Sequence, residues 1–271
     1  MTFHEVVAAA IRDFAEHGYD SEDRLAYWTA QIRAAAEAQM ASRQRMEEML
    51  RDAMRAIYVR LVERQGVLKT LPGVDRFTLQ RVVPRLRAEL DRRIMASASL
   101  IKLNRDEAIE KTLRRFSGWA TSLPAGGSAE PEKRQAAEDV KKALRQLPFA
   151  ERRVLIDQGH KLTASINSVV AVGGGAIAAR WFSHYRQSGY HYREDHKERD
   201  GRVYLIRDSW AAEKGLVKPG EAGYTDQITE PGEEISCRCR YVYLFNLRDL
   251  PRDMLTALGM EELERGQRVT A

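Results

Sequence analysis

The sequence predicts an α+β protein: a long helical N-terminal arm followed by a compact mixed domain with a small β-sheet. Three observations carry this. Residues 22–65 contain neither Pro nor Gly, and their apolar residues recur at helical spacing. After Ala179 the apolar period changes from helical to alternating. Between the two, Ser122-Leu123-Pro124-Ala125-Gly126-Gly127-Ser128-Ala129-Glu130-Pro131 is the clearest loop signal in the chain. The expected organisation is an arm over 1–122, a linker over 123–132 and a mixed domain over 133–271.

The elements follow in order. Phe3–His17 places Val6, Val7, Ala10, Ile11 and Phe14 on one stripe, closed by Gly18 and Asp20. Ser21 is suited to cap the next helix, expected to run from Glu22 to about Gln65 through Leu25, Trp28, Ile32, Ala35, Met46, Met49, Ala53, Ile57 and Leu61. Gln39 and Ser42 interrupt that seam, so two shorter helices broken near Ala41-Ser42 are the alternative. Leu71-Pro72-Gly73 is a turn, and Asp75 can cap a helix to about Ile101 with Pro84 as an irregularity. A further helix is expected from Asn104 or Asp106 to Trp119. Beyond the linker come helices over Glu132–Leu147 and Phe149–Val172, broken at Gly173-Gly174-Gly175. Strands are expected at Ala179–Tyr185, Val203–Ile206 and Arg240–Phe245, with a final helix over Leu250–Glu264.

Composition narrows the class. Two Cys in 271 residues exclude a disulfide scaffold. No run approaches the ~20 apolar residues of a membrane span. Met1-Thr2-Phe3-His4-Glu5 lacks a basic region leading into an apolar core, so no secretory leader is expected. A protein of a reducing cytoplasm follows, with no membrane partner and no small-molecule substrate. The net charge of +5 hides a pattern: residues 40–118 carry 18 basic against 10 acidic groups, whereas both ends are net acidic. An excess of this kind attracts a polyanion. Arg81, Arg85, Arg92, Arg93, Arg114 and Arg115 are the candidate DNA-binding residues. A mixed, solvated helix face or an acidic protein partner explains the same residues equally well.

The chemistry-bearing residues are concentrated late in the chain. Both cysteines lie in Cys237-Arg238-Cys239, directly before a strand. Residues i and i+2 of an extended chain share a face, so the two thiols point the same way. Three readings stay open. They are ordinary buried side chains; or they ligate a zinc ion with His196 and either His191 or His160; or one is a nucleophile with a His partner. Glu194-Asp195-His196 also fits a nuclease-like metal site. No phosphate-binding loop, Gly-x-Ser-x-Gly or His-Glu-x-x-His motif occurs, and no catalytic set is complete, so no enzyme is expected.

Taken together, the C-terminal motifs resemble the Mu F-like minor head proteins of tailed bacteriophages, the head-morphogenesis family. They run in order through Arg180-Trp181, Arg193-Glu194-Asp195-His196, Asp200-Gly201, Lys218-Pro219-Gly220, Pro231-Gly232 and Cys237-Arg238-Cys239. The match covers roughly residues 145–248, with Trp181, Arg193, Asp200, Gly201 and Arg238 as its structural motif. Many relatives carry His-Pro just before the Cys-Arg-Cys, where this chain has Glu234-Ile235-Ser236. That removes one metal ligand. The segment Ala211–Thr229 also looks longer than usual, and the N-terminal half carries no matching motif.

The resemblance implies a structural minor capsid protein, bound to the portal protein on the capsid-interior side and touching packaged double-stranded DNA. It extends to co-ejection with that DNA and to contact with the major capsid or scaffold protein. The location implied is the virion head, with the host cytoplasm during assembly. It links His196, Cys237 and Cys239 as a zinc site. Two alternatives differ in class: a cytosolic metal- or nucleic-acid-binding protein, and a nuclease- or ADP-ribosyltransferase-like enzyme of the phage toxin type.

Overall fold

Thr2 opens α1 (Phe3–His17) with a capping box. Its hydroxyl accepts from the Glu5 N–H at 3.3 Å, and the Glu5 carboxylate accepts from the Thr2 N–H at 2.7 Å. In the computed structural model, residues 1–40, 43–124, 126–127 and 130–269 are described. The helices continue with α2 (Glu22–Gln39), α3 (Arg43–Tyr58), α4 (Arg76–Thr121) and α5 (Glu130–Gly173). The strands are β1 (Ala178–Phe182), β2 (Val203–Leu205) and β3 (Arg240–Leu244). Short helices α6 (Glu194–Glu198) and α7 (Trp210–Glu213) lie between the strands, and α8 (Ala257–Val269) follows them. The architecture is α+β. Among the described residues, no helix is long and apolar enough to cross a membrane.

The long helices are not where the sequence suggests. The stretch expected as one helix from Glu22 to Gln65 is α2 and α3 followed by a π-helical turn, Val59–Glu63. The alternative break at Ala41-Ser42 lies outside the described residues. Conversely, α4 absorbs two expected helices into 46 residues and α5 absorbs two into 44. Each runs through a proline, Pro84 and Pro148. Both prolines are exposed, so their rings point to solvent and displace no packed neighbour.

The chain forms two compact units, Met1–Arg51 with Ile94–Leu155 and Asp52–Arg93 with Ile156–Ala271. Each unit takes residues from both sides of the segment expected as the domain boundary. In the first, Val7, Ala10, Ile11 and Phe14 of α1 bury against Ile32, Ile109, Leu113, Phe116 and Val140. Phe14 and Phe116 meet edge to face at 5.7 Å. The described part of the expected linker is packed here: Leu123 is buried in this core, and the Gly126 N–H donates to His17 O. The calls on Ala125, Ser128 and Ala129 lie outside the described residues.

Gly18 terminates α1 with φ of 75°. A Cβ there would lie 2.1 Å from the carbonyl oxygen of Pro124. Gly18→Ala is therefore expected to cost more than the ~1 kcal/mol of a left-handed residue alone, and about 2–4 kcal/mol in total. Urea unfolding monitored by circular dichroism measures it. A change below ~0.5 kcal/mol would show that the turn is free to move.

The second unit holds the sheet, ordered β2-β1-β3 and antiparallel throughout. Ala178 pairs with Leu205 and Leu244, and Phe182 pairs with Arg240. One face carries Ala178, Val203, Leu205 and Leu244 into a core with Leu216, Val217, Leu250 and Met254. The other carries Trp181 and Tyr204 against Cys237 and Cys239. The chain enters β1 from α5 over Gly173 and Gly174. Added Cβ atoms there would come within 2.7 Å of Val82 and 2.6 Å of Val74. Gly173 and Gly174 are thus a close-packing point where α5 ends, at the helix break the sequence predicts.

Candidate metal centre

The site is assembled where β1 ends. Trp181 is fully buried, and its carbonyl accepts from the Gly201 N–H at 2.8 Å. Gly201 has φ of 78°, which suits a residue without a Cβ. Beside it, the Asp200 carboxylate accepts from the Ser183 N–H at 2.7 Å. This double tie brings α6 under the sheet and buries His196, whose ring packs edge to face on Trp181 at 5.2 Å. The Arg199 guanidinium lies over the Trp181 ring at 5.2 Å.

The opposing loop supplies the sulfurs. Ser236 adopts φ of 61°, and its N–H donates to Asp157 Oδ1 at 2.6 Å. The chain then turns into β3 with Cys237 1% and Cys239 6% exposed. Neither forms a disulfide. His196 Nδ1 lies 3.6 Å from Cys237 Sγ and 3.5 Å from Cys239 Sγ, and the three ligand atoms all lie within 4.8 Å of one another. Tyr190, not anticipated from the sequence, braces this loop through its hydroxyl. It accepts from the Arg238 N–H at 3.2 Å and donates to Ser236 O at 3.3 Å. The Arg238 guanidinium covers the Tyr190 ring.

The two thiols are electrostatically unequal. A hydrogen bond from Cys239 is the largest influence on Cys237. Burial opposes it, and the N–H groups of Gly232 and Cys239 and the nearby His196 support it; the Cys237 thiol is lowered to about 5. Cys239 is pushed up by that bond to Cys237, by burial and by the charge on Cys237. Hydrogen bonds from the Ser183 hydroxyl and His184 N–H oppose the rise. The hydrogen bond between them thus favours ionisation at Cys237 and holds a proton at Cys239. A metal ion taking both sulfurs displaces that proton.

These distances suit a tetrahedral ion. With metal–sulfur arms of ~2.3 Å and a metal–nitrogen arm of ~2.0–2.1 Å, the sulfur–nitrogen edge of a tetrahedron is about 3.6 Å. A nucleophilic role fits less well. Cys237, His196 and Glu234 do form a thiol–imidazole–carboxylate row, but a sulfur this buried offers no approach to a substrate carbon.

The other expected site residues fall differently. His191 and His160, the alternative fourth ligands, are exposed and outside the cluster; residue type and spacing do not fix their place in the fold. Glu194 and Asp195 pair with Lys197 and Arg199. Asp195 and Glu234 form a second, more exposed group around His196. Arg193 bonds Glu234 and Ile235 O.

Of the candidate DNA-binding residues, Arg93 is a correction. It is 4% exposed, donating to Glu89 and Glu233 at 2.8 Å and to Ser165 at 3.1 Å. It lies on the inner face of α4, where helical period directs it away from solvent. Arg81, Arg85 and Arg92 are exposed on the same helix in the second unit. Arg81 donates to Gly173 O, and Arg92 forks onto Glu89. In the first unit Arg114 is exposed, and the half-buried Arg115 donates to Asp139 O. No family model, no curated protein and no solved structure matches the chain.

Proposed function

We propose that this chain is a structural minor head protein of a tailed phage, of the Mu F-like kind. In this reading it docks on the portal protein and contacts packaged double-stranded DNA, and its C-terminal part is held by a structural zinc ion. The observation that carries it is the convergence of His196, Cys237 and Cys239 at one buried point. These residues come from two of the motifs that carry the resemblance, separated by some forty residues of sequence. Zinc suits the donors, because two sulfurs and one imidazole form a borderline-soft set that supplies three of the four positions of a tetrahedral ion. The ion's role is to tie α6 to the start of β3 across a segment with little regular structure. No chemistry on a substrate is assigned to it.

The functional test is the virion itself. Mass spectrometry of purified particles from the phage encoding this chain is expected to find it. Pull-down with the portal protein encoded nearby is expected to retain it. Neighbouring genes lacking both a portal and a major capsid protein would sink the reading.

DNA contact has its own measurement. Arg81, Arg85 and Arg114 are exposed cations on helices. Binding to double-stranded DNA is expected to be independent of sequence and to fall steeply between ~50 and ~200 mM salt, because each neutralised phosphate releases close to one counterion. Arg85→Gln should lower the slope of log K against log salt by about one. An affinity indifferent to salt removes DNA from the proposal.

A further inference from the structure

A metal held by His196, Cys237 and Cys239 can use only one imidazole nitrogen. The nitrogen facing both sulfurs is Nδ1, at 3.6 and 3.5 Å. For Nδ1 to offer a lone pair, the ring proton must reside on Nε2. An isolated imidazole does not hold this tautomer firmly, so something at Nε2 has to select it.

Nε2 lies 3.3 Å from Glu234 Oε1. The other carboxylate oxygen, Oε2, is held by Arg193 Nε at 2.8 Å, and Arg193 Nη2 donates to Ile235 O at 3.1 Å. One carboxylate is thus gripped between a guanidinium and the imidazole. The backbone sets the same position. Glu234 O accepts from the Cys237 N–H at 3.0 Å, so the turn that presents the first sulfur also carries Glu234 over the far edge of His196. Asp195, 3.9 Å from Nε2, is engaged by Arg199 at 2.8 Å and is beyond hydrogen-bond distance.

We infer that Glu234, clamped by Arg193, is the positioning residue of this centre: it accepts the Nε2–H of His196 and thereby fixes Nδ1 as the metal-binding nitrogen. The inference rests on the metal reading above. Glu234 acts through the imidazole and not on the ion. The glutamate in place of the His-Pro of the resembling family therefore has a use of its own. Metal-ligating histidines characteristically donate their second N–H to a carboxylate or carbonyl, and loss of that partner costs about 10–100-fold in affinity.

The test is cobalt(II) titration of the full-length chain after metal removal, with affinities from competition against a chromophoric chelator. Glu234→Ala is expected to bind cobalt 10–100-fold more weakly, with thiolate and ligand-field bands unshifted. Glu234→Asp should recover part of the loss. Arg193→Ala should weaken binding several-fold and add little to Glu234→Ala, because Arg193 acts through Glu234. Asp195→Asn should match wild type. Nitrogen-15 spectra of the zinc form should show Nε2 protonated and Nδ1 metallated. Melting curves of each variant with excess zinc confirm that it folds. Affinity of Glu234→Ala within twofold of wild type, metallation at Nε2, or shifted bands marking Glu234 as a ligand would each overturn the inference while leaving a metal site standing. A wild-type chain that binds neither cobalt nor zinc removes the metal reading and this inference with it.

Discussion

Cys237→Ser is expected to abolish metal binding and to lower the melting temperature by at least ~10 °C. Elemental analysis of protein purified without chelator should find about one zinc per chain in the wild type and none in the variant. Loss of a structural metal is among the few single changes that exceed ~4 kcal/mol, and a unit of this size loses roughly 2–4 °C per kcal/mol. The segment between β2 and β3 has only short helices and turns of its own, so the ion's cross-link from α6 to the start of β3 replaces what regular structure would supply. Chelator treatment should reproduce the loss in wild type and leave the variant unchanged. A metal-free wild type that melts at the same temperature with and without zinc eliminates the site.

Arg93→Met is expected to destabilise by about 2–4 kcal/mol, because it removes the buried cation of a network in which Glu89 keeps Arg92 but the bonds to Glu233 and Ser165 are lost. Arg93 faces Glu89, Glu230 and Glu233, and Arg92 shares Glu89 with it. For Glu89, burial works upward, but hydrogen bonds from Arg92, Ser165 and Arg93 hold its carboxyl below the usual value. It therefore contributes stability present above about pH 4.5 and lost on acidification. Glu230 is pushed up by burial and by Glu233, so its cost appears as pH rises above about 4.5. Both signs agree: the variant's deficit should be larger at pH 7 than at pH 4. Equal deficits at the two pH values would mean that lost packing, not charge, dominates. Adding Glu89→Gln and Glu233→Gln should restore part of the stability.

Local chemistry was legible where one signal decided the outcome. Thr2, Glu5 and the stripe Val6–Phe14 specify α1 without reference to the rest of the chain. Asp75 caps α4 as its sequence suggests, accepting from the Thr78 N–H at 2.7 Å. The three strands occur within a few residues of their alternating segments. Pro84 sits inside a helix as the sequence suggests, whereas Pro148 misled, because a proline on an exposed helix face need not end the helix and sequence alone does not report the face. Cys237, Cys239 and His196 were nominated by their motifs, but nothing periodic marks Glu234. Its place depends on the left-handed turn at Ser236 and on Asp157, 79 residues away. Arg93 was misjudged because charge along the chain does not separate the inner face of a helix from the outer.

The interleaving of the two units sets an order for synthesis. Once residue 155 has emerged, every segment of the first unit exists, and it can close while the ribosome is still at work. Residues 52–93 cannot do the same. Their apolar side chains, among them Val62, Val67, Leu71, Leu79 and Leu86, belong to a unit whose remaining segments come last. At ~5–20 residues per second, translating residues 156–271 takes on the order of ten seconds. During that interval the apolar side chains of a basic stretch have no partners from their own unit to pack against. The nascent chain is vulnerable there, in its early middle, and not at the cysteine loop that completes it.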